Sequence, residues 1–167
     1  MADEIRLDGK VAIVTGAGAG LGRAHALLLA SRGAKVVVND LGGAMDGNGA
    51  SQTPAQKVVD EIKAAGGEAA ADYNDVVNGD QIVKTALDAF GTVDLLINNA
   101  GIQHVAPIDE FPAGKWDAII AINLSAVFHT TRLALPAMKI LLCLISLTRQ
   151  GISWGAINSR LKNVFQN

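Results

Sequence analysis

A chain of 167 residues, half of them apolar and 18 of them glycine, is long enough to bury one core and too apolar to remain disordered. Its net charge of −2 excludes the basic footprint of a nucleic-acid binder, and the single cysteine, Cys143, excludes an internal disulfide and a zinc site of the usual spacing. A cytoplasmic setting is the expectation, because residues 1–10 lack the apolar core of a secretory leader and the longest apolar run near the end, Ile140–Ile145, is too short to span a bilayer.

Lys10–Thr15 (KVAIVT) is a β-branched run ending in glycines, which predicts a buried strand feeding a turn. From Leu21 to Arg32 the apolar positions recur at helical spacing, and Gly33 closes the segment where a C-terminal cap belongs. Ala34–Asn39 (AKVVVN) predicts a second buried strand, followed by a glycine-rich surface loop over Leu41–Ala50. Pro54 opens a second helix that reaches Ala65 and stops at Gly66-Gly67. A weaker strand over Glu68–Tyr73, an amphipathic helix over Gly79–Phe90 stopped by Gly91, and a fourth strand over Val93–Ile97 follow. Asp109–Met138 contains a long helix starting near Ala113 or Lys115, on which Trp116 and Phe128 read as core residues.

Strands alternating with helices of this length predict an α/β fold, a Rossmann-like doubly wound parallel sheet with helices on both faces, over residues 1–139. Residues 140–167 break the pattern. Either Ile140–Leu147 supplies a fifth strand, or the segment is a frameshift or truncation product and the fold is C-terminally truncated; the second reading is preferred. Charge changes along the chain too: residues 1–117 hold 9 basic and 16 acidic side chains, and residues 118–167 hold 5 basic and none acidic. A basic surface for a phosphate or acyl carrier would explain this, but a chance imbalance or a foreign tail is the simpler account.

Two features carry chemistry. The first is Thr15-Gly16-Ala17-Gly18-Ala19-Gly20-Leu21-Gly22, at the junction of strand one and helix one. Glycines there let the backbone turn tightly and approach a pyrophosphate, which the free N–H groups and dipole of the helix start would stabilise. A P-loop would need Lys followed by Ser or Thr at the loop's end, and Gly22 is followed by Arg23-Ala24. The second is Asp40, at the end of strand two. A carboxylate in that place accepts hydrogen bonds from the ribose hydroxyls of an adenosine and repels a 2′-phosphate, so NAD is expected over NADP.

The spacing Thr-Gly-x-x-x-Gly-x-Gly, with Asn98-Asn99-Ala100-Gly101 after strand four, resembles the short-chain dehydrogenase/reductase family over residues 5 to about 139, including Asp75-Val76 and Trp116–Asn123. The resemblance implies an NAD-dependent oxidoreductase acting on an alcohol or ketone. It assigns Gly16, Gly20, Leu21, Gly22 and Asp40 to the cofactor, Asp75 and Val76 to the adenine, and Asn99, Ala100 and Gly101 to the ribose and nicotinamide side. Asn123 matches the helix Asn that anchors the family's proton-relay water, the one catalytic assignment; a role in bonding backbone at a helix bend stays open. Val38–Gly43 and the Asp46-Gly47 loop look like the branch that oxidises 3-hydroxyacyl-CoA or steroid-like alcohols. No metal is implied.

The family's base is a Tyr with a Lys four residues on. Here the only tyrosine, Tyr73, has Val77 four places on, and no Tyr-x-x-x-Lys exists. Ser146, Ser153 and Ser159 sit near where the family's serine belongs, but none is assigned without that partner. The alternatives are therefore an oxidoreductase by descent that binds cofactor only, a catalytically inactive dinucleotide-binding or regulatory protein, or a frameshifted fragment. The family is oligomeric, and the long helix would pack in a subunit interface beside a helix that this sequence lacks.

Overall fold

The computed structural model describes residues 5–43 and 53–149, with side chains described to Met138. Four strands, β1 (Val11–Thr15), β2 (Lys35–Asn39), β3 (Ala69–Asp72) and β4 (Leu95–Ile97), form one parallel sheet in the order β3-β2-β1-β4. The registers place Ile13 beside Val37 and Leu96, and Val38 beside Ala71.

Side-chain alternation along the strands sorts the core into two layers. Val14, Val36 and Val38 face α1 (Gly20–Ser31) and α2 (Thr53–Ala64), where Ala26, Val58, Val59 and Ile62 are buried. Val11, Ile13 and Val37 face the other way, onto Ile82, Val83 and Ala86 of α3 (Gly79–Phe90). A sheet covered on both faces needs continuous apolar strands, which is why VAIV and VVV show no polar alternation. Each fully buried Val or Ile contributes about 1.5–3 kcal/mol by leaving water.

The chain runs outward from β1 through β2 to β3 with its helices on one face, then returns through α3 on the opposite face to place β4 against the free side of β1. The connection therefore changes direction between β1 and β4. In open parallel sheets that switch point leaves a crevice at the carboxyl ends of the strands.

After β4 come α4 (Ala113–Ile120), a π-helical stretch (Ala121–Ser125) and α5 (Ala126–Arg149). Ala126, Thr130 and Ala134, spaced by four, form the buried stripe of α5, and α5 packs against α3. The approach is close: a Cβ on Gly79 would stand 2.6 Å from Thr130 Oγ1.

Three expectations need correction. Ile140–Leu147 is no fifth strand, because its backbone continues α5 as helix to Arg149. Trp116 and Phe128 are not core residues: they are 55% and 62% exposed, since the buried stripe runs through the small residues instead. Short apolar runs do not reveal Ala113–Met138, a helical stretch long and apolar enough by length and composition to cross a membrane, with mean hydropathy 1.4. Its small-residue stripe is seated on α3, while Trp116, Leu124, Phe128 and Leu135 are exposed. The Asp46-Gly47 part of the loop after β2 and the three candidate serines lie outside the described residues or side chains.

Candidate functional site

The switch point holds an open cleft of about 380 Å³, within the usual range for a small-molecule site. The glycine turn forms one wall. Gly16, at φ +61°, lets the chain reverse straight out of β1 and lie against Ala100, where a Cβ would stand 2.8 Å from Ala100 Cα. Gly22 fits beneath the turn, because a Cβ there would stand 2.2 Å from the Gly16 carbonyl oxygen. Ala19 and Gly20 bring the start of α1 to the cleft. No side chain caps this end and no acidic residue occupies its first turn, so the positive end of the helix dipole faces the cleft uncompensated.

Asp40 stands across the turn. Its Oδ2 accepts a hydrogen bond from the Gly18 N–H at 2.7 Å and its Oδ1 one from the Gly42 N–H at 2.6 Å. These bonds fix the carboxylate at the end of β2, and each oxygen keeps a lone pair for a further donor. Gly18 is required for this approach, since a Cβ there would meet the Asp40 carboxyl at 2.8 Å and Pro54 at 2.6 Å.

The far wall comes from β4 and is bonded back to β1. Thr15 Oγ1 donates to the Ile97 carbonyl at 3.4 Å and accepts from the N–H groups of Asn99 and Ala100 at 3.0 and 3.1 Å. Asn99 Nδ2 donates to the carbonyls of Thr15 and Gly16 at 2.9 and 3.0 Å. Asn99 thus lines the cleft while its amide protons hold the glycine turn. Gly101 lies against Asn123, which brackets Ile102: Asn123 Oδ1 accepts from the Ile102 N–H and Nδ2 donates to the Ile102 carbonyl, both at 2.9 Å.

Of the residues singled out from sequence, Gly16, Gly20, Asp40 and Asp75 line the cleft, as do Val76, Asn99, Ala100 and Gly101. Leu21 and Gly22 do not. Leu21 is 74% exposed on the outer side of the helix, and Gly22 is buried under the turn. Asn123 is not on the wall either; its neighbour Ile122 is, and Asn123 acts on the cleft through Ile102. Asn39 and Asn74 also line the cleft and were missed. A polar residue closing a strand reads as the start of a turn, and nothing in spacing alone separates it from a wall residue.

An uncapped helix start, a fixed carboxylate and the apolar Val76 wall fit the phosphates, ribose and base of a dinucleotide. Tyr73 takes no part. Its hydroxyl donates to Gln56 Oε1 at 2.8 Å, and its ring packs in the layer formed with α1 and α2.

Residues 10–142 match the family model described as short chain dehydrogenase. The chain is 54% identical over 136 residues to the peroxisomal multifunctional enzyme type 2 of Drosophila melanogaster, covering 81% of this chain and 23% of that one. Among solved structures, a short chain dehydrogenase from Mycobacterium avium is 47% identical with a TM-score of 0.71, covering 87% of this chain and 51% of its own. A 7α-hydroxysteroid dehydrogenase complexed with NADH and 7-oxo glycochenodeoxycholic acid is 36% identical with a TM-score of 0.72, covering 83% and 51%. The chain thus spans about half of the solved relatives and under a quarter of the Drosophila enzyme. With its motifs at the predicted junctions and its sheet matching theirs, this chain belongs to the short-chain dehydrogenase family.

Proposed function

We propose that this chain is the cofactor-holding part, residues 1–139, of an NAD-dependent short-chain oxidoreductase, and that by itself it binds NAD without turning over. The observation that carries this reading is Asp40, fixed by two backbone N–H groups beside an uncapped helix start. The first-turn N–H groups would hold the pyrophosphate, and Asp40 would accept from the adenosine ribose hydroxyls and disfavour a 2′-phosphate. Asp75 and Val76 would take the adenine, and Asn99, Ala100 and Gly101 the ribose and nicotinamide side. When bound, the nicotinamide ring supplies the hydride acceptor or donor. Asn123 fixes the Ile102 backbone beside it, a positioning role.

Hydride removal from an alcohol also needs a base for the hydroxyl proton. Tyr73, the sole tyrosine, is bonded to Gln56 in the other core layer, so the reading gives this chain binding without a base of the family type. That same observation favours a second reading, a catalytically silent dinucleotide-binding or regulatory protein. Substrates of the parent activity would be secondary alcohols, ketones or hydroxyacyl thioesters, as the steroid ligand of one relative also suggests. The compartment is the cytoplasm by the sequence reading, or the peroxisome by likeness to the Drosophila enzyme; fractionation of a tagged protein separates the two.

Calorimetric titration with NAD and NADP tests the proposal. NAD is expected to bind at least tenfold more tightly than NADP, and Asp40→Ala to weaken NAD about tenfold, the loss of charge-assisted hydrogen bonds, while narrowing the preference. No NAD binding at saturating ligand, or tighter NADP binding, overturns it. Incubation with NAD and a panel of hydroxyl substrates is expected to give no NADH absorbance, and sustained turnover would refute the missing-base argument.

A further inference from the structure

Beneath the base-binding end of the cleft lies a buried carboxylate that the reading above does not use. Asp72, the last residue of β3, is 3% exposed. Its Oδ1 accepts from Asn39 Nδ2 at 2.7 Å and from the Asn74 N–H at 3.1 Å. Its Oδ2 accepts from Asn74 Nδ2 at 2.9 Å and from Thr85 Oγ1, on α3, at 2.6 Å. Asn39 Nδ2 gives its second proton to the Asn74 carbonyl at 2.8 Å. Two strand ends, the loop after β3 and a helix therefore meet on one side chain.

The cost of this arrangement shows in Asn39, which is 1% exposed. Both partners of its amide nitrogen can only accept, so the amide cannot turn over, and its Oδ1 is left buried without a donor. A buried acceptor without a donor is unfavourable, whereas the Asp72 carboxylate has both oxygens satisfied by four donors. What the network achieves is to hold Asn74 by its N–H, its carbonyl and its side chain at once. Asn74, Asp75 and Val76 follow one another along the cleft wall.

We propose that Asp72, braced by Thr85, is a positioning residue for the adenine end of the cleft: it fixes Asn39 and the Asn74–Val76 wall in the geometry that receives the base. This inference rests on the cleft being a dinucleotide site. Thr85 suits the test, because it lies on α3 away from the cleft lining, and the one other acceptor near its hydroxyl is the Gln81 carbonyl within the same helix, at 3.1 Å.

The experiment is calorimetric titration of AMP and NAD into wild type, Thr85→Val, Thr85→Ser and Asp72→Asn, each with a thermal melt. Thr85→Val keeps shape and removes the donor, and is expected to weaken AMP and NAD about fivefold to tenfold; Thr85→Ser restores the hydroxyl and is expected to bind within twofold of wild type. Asp72→Asn discriminates by sign. Removing a negative charge near a phosphate ligand would by charge alone tighten binding, whereas loss of positioning weakens it, about tenfold or more. A lowered melting temperature with AMP and NAD affinity unchanged in Thr85→Val and Asp72→Asn would make the network structural only and overturn the inference while leaving the cleft assignment intact. Failure of wild type to bind either ligand would overturn both.

Discussion

Adding one methyl group under the glycine turn should damage both fold and cleft. In Gly22→Ala the new Cβ would stand 2.2 Å from the Gly16 carbonyl oxygen and 2.5 Å from Asn99 Nδ2, so restoring an ordinary contact of 3.4 Å requires a movement of about 1.2 Å. Neither neighbour is free to give way. Gly16 is held against Ala100, and Asn99 Nδ2 is bonded to the Thr15 and Gly16 carbonyls. Overpacking of this kind costs about 1–3 kcal/mol, and breaking one or both Asn99 bonds adds about 1 kcal/mol each. Alanine returns up to about 1 kcal/mol through helix propensity. The net loss is about 2 kcal/mol, which for a chain of this size lowers the melting temperature by about 4–8 °C. Because α1 must shift away from Gly16, NAD affinity should fall at least tenfold in calorimetry. A variant that melts within 1 °C of wild type and binds NAD within twofold would refute the close-packed turn.

Asn123→Ala removes both bonds to Ile102, and amide exchange at Ile102 should quicken about tenfold while the global melting temperature moves little, as the site is exposed. Ile62→Ala empties a side chain that is 1% exposed, so urea unfolding should show a loss of about 2–5 kcal/mol with NAD affinity per folded molecule unchanged. Asp8 tests the opposite limit. The Arg6 side chain beside it holds its carboxyl below the usual 3.8, so any stabilisation is present above that value and lost as pH falls through the lowered one; the pair is exposed, and Asp8→Asn should leave the melting temperature at pH 7 unchanged. A drop of several degrees there would show that Asp8 does more than pair with Arg6.

The strands and the first three helices were legible to within two residues because a parallel sheet covered on both faces demands unbroken β-branched runs, and glycine marks the helix ends at Gly33 and Gly91. The fourth strand is two residues shorter than the expected Val93–Ile97: Val93 is buried but precedes the ladder, which begins at Leu95 opposite Ala12. The π-helical stretch at Ala121–Ser125 was invisible, since one extra residue in a turn barely changes hydrophobic spacing. Trp116 and Phe128 misled for a related reason: periodicity finds a stripe but not its depth, and close contact with Gly79 selects Ala126, Thr130 and Ala134 over larger side chains. The position of the glycine turn and Asp40 at the cleft was legible because both follow directly from the ends of two buried strands. Asn39 and Asp72 were not, because their meaning depends on which strand ends the topology brings together.

On the proposed function, this dependence on topology separates binding from turnover. Apart from the start of α1 and Ile122, the walls of the cleft come from strand ends or the loops after them, and those ends are aligned by ladders within Val11–Ile97, by Thr15 and Asn99 between β1 and β4, and by Asp72 between β2 and β3. Each alignment is made by residues on this chain. On the proposed reading, a proton acceptor for an alcohol needs a different support, a side chain held opposite the cleft wall at Gly101 and Ile102. Among the described residues, the helical segment after β4 meets that region through Ile122 on the cleft wall and the Asn123 bracket on Ile102, neither of them a titrating group. Cofactor affinity in calorimetry should therefore be nearly indifferent to a substitution between Leu124 and Met138 that leaves the Ala126–Thr130–Ala134 stripe seated on α3, and a tenfold loss in such a variant would refute this division of labour.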